Sequence, residues 1–443
     1  MDRLSALQPG DALRSGTPAA RLRAIADPDS VEWLDTSRPS AHLARFGIAA
    51  QPDDGVVTAR LRIRRRTWLA AAQDEAFLRG SVGAAHGDAL RALFERARAE
   101  RPDGVLVLAA SAGVRLHEGN AAELSLGRAM RALVASRADE LATAVIATGD
   151  VFGGASVLAC ASERFAAVAG VRVGLSGPKV IEVARGKAEL DADDDDAIHA
   201  LYGVAARVRA GAIETVGPRV EDAIAWLAAP HRRAPFEQAV RERQRALVCA
   251  ASSDAGTLAD DWRAQHVAGR LWRTDVAWVV APWRERAVDA ASLCALDAAL
   301  LAHALDAPPR LLILLEDSPG HDVSRDAESR FLSQYLAHHA CVLGLLRSHG
   351  VTIVGVLIGT GHSAAFFANA LQANALCAMR DARVVAMAPE AIARVTGVAA
   401  TQLIEDDPLL GHPVRHFSAL GGVQRTLGDA SARAVIAFAQ SVR

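Results

Sequence analysis

Glycine-rich turns at the ends of apolar runs are the parts of this chain best suited to chemistry. A glycine between a buried strand and a helix leaves backbone N–H groups uncovered, and the helix dipole adds positive potential there. Two such N–H groups that converge form an oxyanion hole, which stabilises negative charge on one oxygen of a reacting thioester. The candidate catalytic residues at these turns are Gly113, Val114, Gly153, Gly154, Gly320, Gly361, His362 and Ser363.

Few side chains near these turns are reactive. The segment GHSAA at residues 361–365 is similar to the nucleophile elbow G-x-S-x-G but lacks its final glycine, so we expect Ser363 to cap a helix. His362 would lie near a helix N-terminus, where the dipole disfavours protonation and favours a neutral imidazole. His117 and His321 are further candidates for substrate contact, although a lone histidine is more often structural. Catalysis by backbone amides is therefore the main prediction, and it suits a reaction through a thioester enolate.

Other classes of site are disfavoured by the sequence. No G-x-G-x-x-G or G-x-x-x-x-G-K-[ST] motif is present, so a nucleotide-binding fingerprint is missing. The five cysteines are scattered without a C-x-x-C pair, which argues against zinc and a disulfide framework and favours buried thiols. The acidic run at 191–196 is a poor metal site, because adjacent aspartates cannot all face one ion, and we expect it on a loop or at a helix N-terminus.

Composition and charge place the chain among ordinary globular α/β proteins. Hydrophobic residues make up 51% of the sequence and charged residues 23%, which is too apolar for disorder. The formal net charge of −2 creates no strong field, so nucleic acid is not an expected partner. The basic run RLRIRRR at 60–66 is predicted to be the solvated side of a strand. Neither an apolar signal core at the N-terminus nor a membrane-length apolar stretch is found, so we expect a soluble, cytoplasmic protein.

An internal repeat predicts the fold. The segment GVLVLAASAGVRLHEG at 104–119 aligns with RLLILLEDSPGHDVSR at 310–325, and residues 144–181 align with residues 353–392. Gly113 precedes Gly149 by 36 residues, and Gly320 precedes Gly359 by 39 residues. Strands that alternate with helices and end in glycine turns indicate a parallel sheet with its ligands at the carboxyl ends of the strands. We therefore expect two α/β domains with the same strand order.

The local pattern predicts the individual elements between these repeats. A helix from residue 18 should end at Asp27, and hairpin strands should occupy 55–71 with their turn at 53–55. A helix is predicted over 88–100, a helical bridge over 229–269, a strand from residue 275, and a long helix over 289–305.

The repeat resembles the crotonase-like carboxyltransferase superfamily, and more closely the β and γ subunits of biotin-independent malonate decarboxylase fused in one chain. The β-like motifs lie within residues 18–228 and include ARLRAIADPDSVEWLD, QPDDGVVTARLRI, GSVGAAHGDAL, AGVRLHEGNAAE, VFGGASV, LSGPKVIE and GKAELDADD. The γ-like motifs lie within residues 265–435 and include LLEDSPGHDVSRDAE, GVLIGTGHSAAFFANALQANAL, VVAMAPEAIARVTG and HPVRHFSALGG.

This resemblance implies two tandem crotonase-like domains of ββα-superhelix type. A β-type domain would span 1–228, a helical linker 229–264 and a γ-type domain 265–443. The family activity would be decarboxylation of malonyl-[acyl-carrier protein] to acetyl-[acyl-carrier protein] and CO2, at the cleft between the two domains. The residues matched to substrate binding are Ser81, Gly83, Gly177, Pro178 and Pro319.

The resemblance also implies that this chain binds no metal or other cofactor itself. A separate acyl carrier protein would carry the phosphopantetheine-type group, and an acyl-carrier-protein transferase (α) subunit would be the second partner. No membrane is expected as a partner, and the sequence leaves homo-oligomerisation and the identity of the proton donor open.

Three departures from the family pattern affect the expected site. Ala84 replaces a glutamate in a Ser-x-Gly-Glu motif, Ala364 replaces a glycine, and Ala388 with Pro389 replaces a Gly-Lys pair. Lost side chains at these positions would lower activity or alter the substrate, more so in the γ-like half. Two alternatives to the decarboxylase therefore stay open: a carboxyltransferase component of a biotin-dependent acyl-CoA carboxylase, and a catalytically eroded scaffold in a carrier-protein complex.

Overall fold

The computed structural model describes residues 12–36, 38–231, 233–405 and 407–442. Most of the N-terminal segment in which no signal core was found, residues 1–11, lies outside the described residues. None of the helices in the described ranges is both long and apolar enough to cross a membrane. The chain divides into two compact units. Unit 1 comprises Met1–Arg115, Ala132–Pro235 and Val323–Ser333, and unit 2 comprises Leu116–Arg131, Phe236–Asp322 and Gln334–Arg443.

Each unit is built on one main sheet. The strands of unit 1 are β1 (Glu32–Trp33), β2 (Val56–Ile63), β3 (Arg66–Gln73), β4 (Gly104–Ser111), β5 (Thr143–Phe152), β6 (Arg164–Val168), β7 (Val173–Gly174) and β8 (Glu214–Val216). The strands of unit 2 are β9 (Gln265–Ala268), β10 (Leu271–Arg273), β11 (Trp278–Val280), β12 (Leu311–Glu316), β13 (Thr352–Leu357), β14 (Thr360–His362), β15 (Ala375–Met379), β16 (Arg383–Val385) and β17 (Arg425–Leu427).

The two main sheets have the same strand order, which confirms the repeat. Unit 1 has the order β1-β2-β3-β4-β5-β6-β8 and unit 2 has β9-β10-β11-β12-β13-β15-β17. In both units the first three strands pair antiparallel and every later pair is parallel. The extra pairing of β5 with β7 matches that of β14 with β16. The predicted α/β class with two tandem repeats is therefore confirmed.

Helices connect these strands. In chain order they are α1 (Ala12–Ser15), α2 (Pro18–Ile25), α3 (Ala84–Glu100), α4 (Gly119–Ala138), α5 (Gly154–Ala161), α6 (Pro178–Arg185), α7 (Asp195–Tyr202), α8 (Val204–Arg209), α9 (Val220–Ala228), α10 (Phe236–Ala246), α11 (Ala290–Ala299), α12 (Arg325–Ser329), α13 (Leu332–Ser348), α14 (Ser363–Ala368), α15 (Pro389–Thr396), α16 (Ala400–Glu405), α17 (Val414–Ala419) and α18 (Ala432–Ser441). A π-helical segment, Leu300–Ala304, extends α11, and the predicted bridge contains α10.

The central strands of both main sheets are buried. Every residue of β4 and of β12 is buried, as is usual for parallel strands enclosed by crossover helices. The core of unit 1 includes Leu106, Leu108 and Ile146, and that of unit 2 includes Ile313 and Val354. These rigid strands fix the positions of the turns at their carboxyl ends.

One short segment from each half of the sequence belongs to the unit that is formed mainly by the other half. Residues 116–131, which follow the turn after β4, belong to unit 2, and residues 323–333, which follow the turn after β12, belong to unit 1. Each unit therefore contains a piece of the other half of the sequence. The contiguous domain bounds expected from the resemblance, at 228 and 265, stay a prediction.

Several local expectations need correction. The turn of the β2–β3 hairpin is formed by Arg64 and Arg65, both with positive φ, and not by residues 53–55. A two-residue turn of this kind favours Asn-Gly, so two arginines carry no turn signal in the sequence. Helix α3 begins at Ala84, four residues before the predicted start. Asp194 caps α7, which places the acidic run at a helix N-terminus as predicted.

The cysteines differ from the expectation of unpaired thiols. Cys249 and Cys294, whose Cα atoms are 5.7 Å apart, form a disulfide. Cys160, Cys341 and Cys377 are free and buried. The pairing joins the chain after α10 to α11, positions 45 residues apart with no motif that would signal it in the sequence.

The segment 323–333, which the second half of the chain supplies to unit 1, makes the stability of unit 1 depend on that half. Arg207 is 1% exposed and its guanidinium pairs with Glu328, which lies in this segment. A fragment of residues 1–235 would leave this charge buried and unpaired, at a cost of about 3–5 kcal/mol. We expect the fragment to melt well below the full chain by circular dichroism, and we expect Arg207→Met to recover part of the loss. A fragment as stable as the full chain would contradict this role of the segment.

Candidate active site

Two glycines bring the ends of β4 and β5 into backbone contact in unit 1. Gly113 has a φ of +96° and Gly153 a φ of +61°, a region that L side chains rarely adopt. A Cβ atom on Gly113 would lie 3.2 Å from the Cα atom of Gly153 and 3.0 Å from the carbonyl oxygen of Phe152. A Cβ atom on Gly153 would lie 3.3 Å from the Cα atom of Gly113. A side chain at either position would push the two turns apart.

The hydrogen bonds of these turns show which amides are available to a ligand. Gly113 N–H donates to Ser111 Oγ at 3.2 Å. Gly153 N–H donates to two carbonyl oxygens, those of residues 174 and 175, at 3.2 and 3.1 Å. Within the described residues, the N–H groups of Val114 and Gly154 have no acceptor. Of the four residues singled out in unit 1, Gly113 and Gly153 thus provide the close approach, while Val114 and Gly154 retain open donors.

Local structure explains why these two amides stay open. Val82 N–H donates to Gly113 O at 2.8 Å and Arg115 N–H donates to Val82 O at 2.9 Å, so the N–H of Val114 faces away from Val82. Gly154 is the first residue of α5, where an amide has no carbonyl one turn earlier in the helix. The prediction that Gly154 begins a helix is confirmed.

The predicted substrate-binding residues of unit 1 lie along these same backbone segments. Ser81 and Gly83 flank Val82, and Ser81 Oγ donates to Leu78 O at 2.7 Å. Gly177 and Pro178 begin α6, shortly after the backbone that accepts the Gly153 N–H. No heavy atom lies within 4 Å of a Cβ atom on Gly177, so that position is open.

Unit 2 repeats this scaffold with a side chain in place of a glycine. Val288 N–H donates to Gly320 O at 2.8 Å and Asp322 N–H donates to Val288 O at 3.0 Å, as Val82 does with Gly113 and Arg115. A Cβ atom on Gly320, whose φ is +106°, would lie 3.0 Å from Nδ1 of His362. His362 precedes α14 just as Gly153 precedes α5. The imidazole of His362 therefore lies against the Gly320 turn, whereas the corresponding Gly113 turn of unit 1 contacts a glycine.

His362 is held in one neutral tautomer. Its Nδ1 atom donates to Pro319 O at 2.7 Å, which leaves Nε2 as the acceptor. Burial lowers the pKa of His362, so the expected low basicity arises mainly from burial rather than from the helix dipole. Burial, with a smaller effect of His362, lowers the pKa of His321 to about 3. Neither imidazole carries a proton to donate as a cation near pH 7.

The remaining predicted residues of unit 2 shape the turn before α14. Ser363 is the first residue of the helix and has a φ of +53°. Gly361 is required because a Cβ atom there would lie 2.8 Å from Phe366 Cδ2. Asp317 Oδ1 accepts the Thr360 N–H at 2.9 Å, which ties this turn to the end of β12.

A buried polar chain lies behind this turn and was not foreseen from the sequence. Glu316 ends β12 and accepts a hydrogen bond from Asn369 Nδ2 at 2.8 Å. Asn369 Oδ1 lies 3.2 Å from His339 Nε2, and His339 Nδ1 lies 2.6 Å from Asp297 Oδ1. All four residues are at most 4% exposed. The sequence signal that could have indicated this chain is the glutamate at the end of the apolar run LLILLE.

Two buried carboxyl groups of unit 2 have raised pKa values. Burial raises the pKa of Glu316 to about 7, against the hydrogen bonds from Asn369 and Ser318. Burial, and then the charge of Glu316, raise the pKa of Glu123 well above its usual range. Glu123 Oε2 has no hydrogen-bond partner among the described residues. The pKa of the carboxyl group that ends β12 thus lies close to neutral pH.

Carboxylates of the acidic run and of Glu182 form ion pairs with two lysines. Glu182, Asp191 and Asp193 bring one carboxylate oxygen each within 4.8 Å of one another. Lys187 Nζ lies 3.2 Å from Asp191 and 3.3 Å from Asp193, and Lys179 pairs with Glu182. These ion pairs account for the cluster.

Each half of the chain matches a known protein family. Residues 15–227 match the carboxyl transferase domain family, and residues 284–440 match the malonate decarboxylase gamma subunit family. The chain is 29% identical over 204 residues to the malonyl-S-ACP:biotin-protein carboxyltransferase of Malonomonas rubra, a match that covers 42% of this chain and 64% of that protein. It is 30% identical over 167 residues to the acetyl-coenzyme A carboxylase carboxyl transferase subunit beta of Bartonella bacilliformis, covering 38% and 54%. The matches thus span less than two thirds of these relatives.

Two solved structures are similar to parts of this chain. A Pseudomonas malonate decarboxylase hetero-tetramer in complex with malonate is 28% identical, with a TM-score of 0.49, covering 57% of this chain and 95% of that chain. Transcarboxylase 12S is 18% identical with a TM-score of 0.42, covering 98% and 90%. The resemblance to malonate decarboxylase β- and γ-type subunits in one chain is confirmed by the two family matches in their order along the sequence.

The raised pKa of Glu316 predicts a pH-dependent stability. The folded protein holds this proton up to about pH 7 whereas the unfolded chain releases it near 4.5, so the favourable contribution is lost as pH rises through that window. We expect Glu316→Gln to gain about 2.5 kcal/mol relative to the wild type between pH 5 and pH 8, measured by urea unfolding. The exposed control Glu390→Gln should leave the pH slope unchanged. Parallel slopes in wild type and Glu316→Gln would show that Glu316 is ionised in the folded protein.

Proposed function

Because this chain joins a carboxyl transferase domain to a domain of the malonate decarboxylase gamma subunit family, we propose that it decarboxylates a malonyl thioester. The substrate is malonyl-[acyl-carrier protein], and the products are acetyl-[acyl-carrier protein] and CO2. The observation that carries this proposal is the pair of open amides, Val114 and Gly154, beside two glycines in backbone contact.

The chemistry matches what two backbone donors supply. When the bond to the carboxylate carbon breaks, its electron pair moves onto the thioester carbonyl oxygen and gives an enolate with release of CO2. The two N–H groups donate to that oxygen and stabilise the developing charge, an effect worth roughly 3 kcal/mol per donor. A proton then adds to the carbon to complete the acetyl group, so no cofactor on this chain is required.

The corresponding turns of unit 2, at Gly320 and His362, support a role other than stabilisation of the enolate oxygen. The Gly320 turn lies against His362, whose neutral imidazole offers Nε2 as a hydrogen-bond acceptor. We infer that it orients the substrate, since a neutral histidine of lowered pKa is a poor donor of a proton to the enolate. The alanines that depart from the family pattern, Ala84, Ala364 and Ala388, all lie at the starts of helices.

The proposed partners follow from the substrate. A separate acyl carrier protein would carry the thioester, and a transferase subunit would load it. The Pseudomonas relative is a hetero-tetramer, which supports a multi-subunit assembly. The phosphopantetheine-type group then belongs to the carrier and not to this chain.

A second candidate is transfer of the carboxyl group to biotin on another protein. It is favoured by the relative in Malonomonas rubra, whose name describes a malonyl-S-ACP:biotin-protein carboxyltransferase. Both reactions pass through the same enolate, so the amides of unit 1 serve either one. The fate of the carboxyl group distinguishes them.

Release of CO2 from malonyl-[acyl-carrier protein] tests the choice between these reactions. We expect the purified chain to release CO2 without biotin and to be unaffected by avidin, because the enolate is stabilised by backbone amides alone. Radiolabelled malonyl carrier protein and trapped CO2 give the measurement. Release that depends on a biotinylated protein and stops with avidin would establish the carboxyltransferase instead.

Substitution of Gly154 tests the amide site directly. Gly154→Val places a β-branched side chain where the thioester must approach the backbone, and we expect turnover to fall by roughly 10². Gly154→Ala is the matched control with a smaller side chain, and it should lose much less. Circular dichroism should show both variants folded, and near-normal turnover of folded Gly154→Val would remove the amide from the mechanism.

A further inference from the structure

We propose that two buried arginine–carboxylate pairs of unit 1 position the two open amides: Arg115 with Asp54 for Val114, and Arg207 with Glu328 for Gly154. These are positioning residues, since they act through backbone segments and not on the substrate. The inference rests on the proposed function, because it concerns the geometry of the same amides.

The first pair holds the residue next to Val114 from several sides. The side chains of Arg115 and Asp54 are 0% exposed, and Arg115 Nη1 lies 2.5 Å from Asp54 Oδ1. Arg115 Nη2 also donates to the carbonyl oxygens of Asp54 and Ser81, at 3.1 and 2.9 Å. Asp54 Oδ2 accepts the His86 N–H at 3.0 Å, which anchors the pair to α3. The guanidinium thus locks together the backbone on both sides of the Val82–Val114 bridge.

The second pair holds the backbone behind Gly153. Glu328 Oε1 accepts the N–H groups of Leu175 and Ser176 at 2.9 and 2.5 Å, and Glu328 Oε2 lies 3.1 Å from Arg207 Nη2. Arg207 Nε donates to Val173 O at 2.8 Å. The side chains of Arg207 and Glu328 are 1% and 2% exposed. One ion pair therefore binds three backbone groups of the segment 173–176, those of Val173, Leu175 and Ser176.

That segment in turn fixes the start of α5. The carbonyl oxygens of Gly174 and Leu175 accept the Gly153 N–H, and this bond sets the direction of the next amide, that of Gly154. Tyr202 Oη donates to Ser176 O at 2.8 Å, and a Cβ atom on Gly174 would lie 2.6 Å from Tyr202 Cδ1. The segment has no room to relax on this side, so its position is determined by Glu328 and its partners.

The choice of ions for this role has a physical reason. A buried ion pair is often no more stabilising than apolar residues of similar volume. Stability alone therefore does not explain why unit 1 has buried ion pairs beside both of its glycine turns. Charge-assisted hydrogen bonds are short and directional, and here each pair binds several backbone groups. A displacement of about 1 Å at a catalytic group can cost 10²-fold in rate, which makes such fixation effective.

Binding of two substrate fragments tests the proposal without turnover. S-Acetyl-phosphopantetheine has the thioester carbonyl that the amides would bind, and S-ethyl-phosphopantetheine lacks it. By isothermal titration calorimetry we expect the wild type to prefer the thioester by roughly tenfold. Glu328→Gln and Asp54→Asn should reduce this preference to about twofold or less, because the amides no longer converge on the oxygen. In turnover of malonyl-[acyl-carrier protein], both variants should lose at least about tenfold in kcat with KM changed by less than about threefold.

A matched control separates positioning from stability. Asp254 and Arg270 form a buried ion pair of unit 2, with side chains 10% and 3% exposed and an N–O distance of 2.6 Å. Asp254→Asn should lower the melting temperature in the same way but keep the thioester preference. Folded Glu328→Gln and Asp54→Asn proteins that keep the wild-type preference would overturn the proposal.

The remaining outcomes are also decisive. Wild-type protein with no preference for the thioester would show that the amides do not bind its carbonyl, which removes the proposed site and this inference with it. If Glu328→Gln does not fold, Arg207→Lys takes its place, since a lysine keeps the charge but cannot hold Glu328 and Val173 together. An unchanged preference in Arg207→Lys overturns the role of the second pair.

Discussion

The backbone contact between Gly113 and Gly153 is the constraint on which the candidate site depends. Two strand ends approach as closely as polypeptide allows, since each glycine occupies the space that a side chain on the other would need. The following amides, those of Val114 and Gly154, have no acceptor among the described residues. The parallel register of β4 and β5, which pairs Ser111 with Val151, brings the two turns together.

The same scaffold occurs in both units but presents different chemistry. Gly320 keeps the conformation and the backbone bonds of Gly113, whereas His362 stands where Gly153 stands. Unit 1 therefore has two amide donors without an acceptor, and unit 2 has a neutral imidazole at the corresponding turn. A repeated fold thus carries two half-sites of unlike character, in line with the matches of the two halves to different families.

Each unit buries several charged side chains. Burying them is costly unless each is paired or protonated, and the structure uses both solutions. Arg115 and Arg207 are paired with carboxylates in unit 1, while Glu316 and Glu123 have raised pKa values in unit 2. Unit 1 thus uses pairing where unit 2 uses raised pKa values.

The sequence by itself determined the repeated α/β architecture, because apolar runs and glycine turns are local signals with a fixed period. It also located the turns at Gly113, Gly153 and Gly320, whose backbone conformations need glycine. Only the tertiary structure decided which amides stay open, since the acceptors of the Gly153 N–H are carbonyl groups about 20 residues along the chain. It alone showed the pairs Asp54–Arg115 and Arg207–Glu328, because partners 61 and 121 residues apart meet only when the chain has folded.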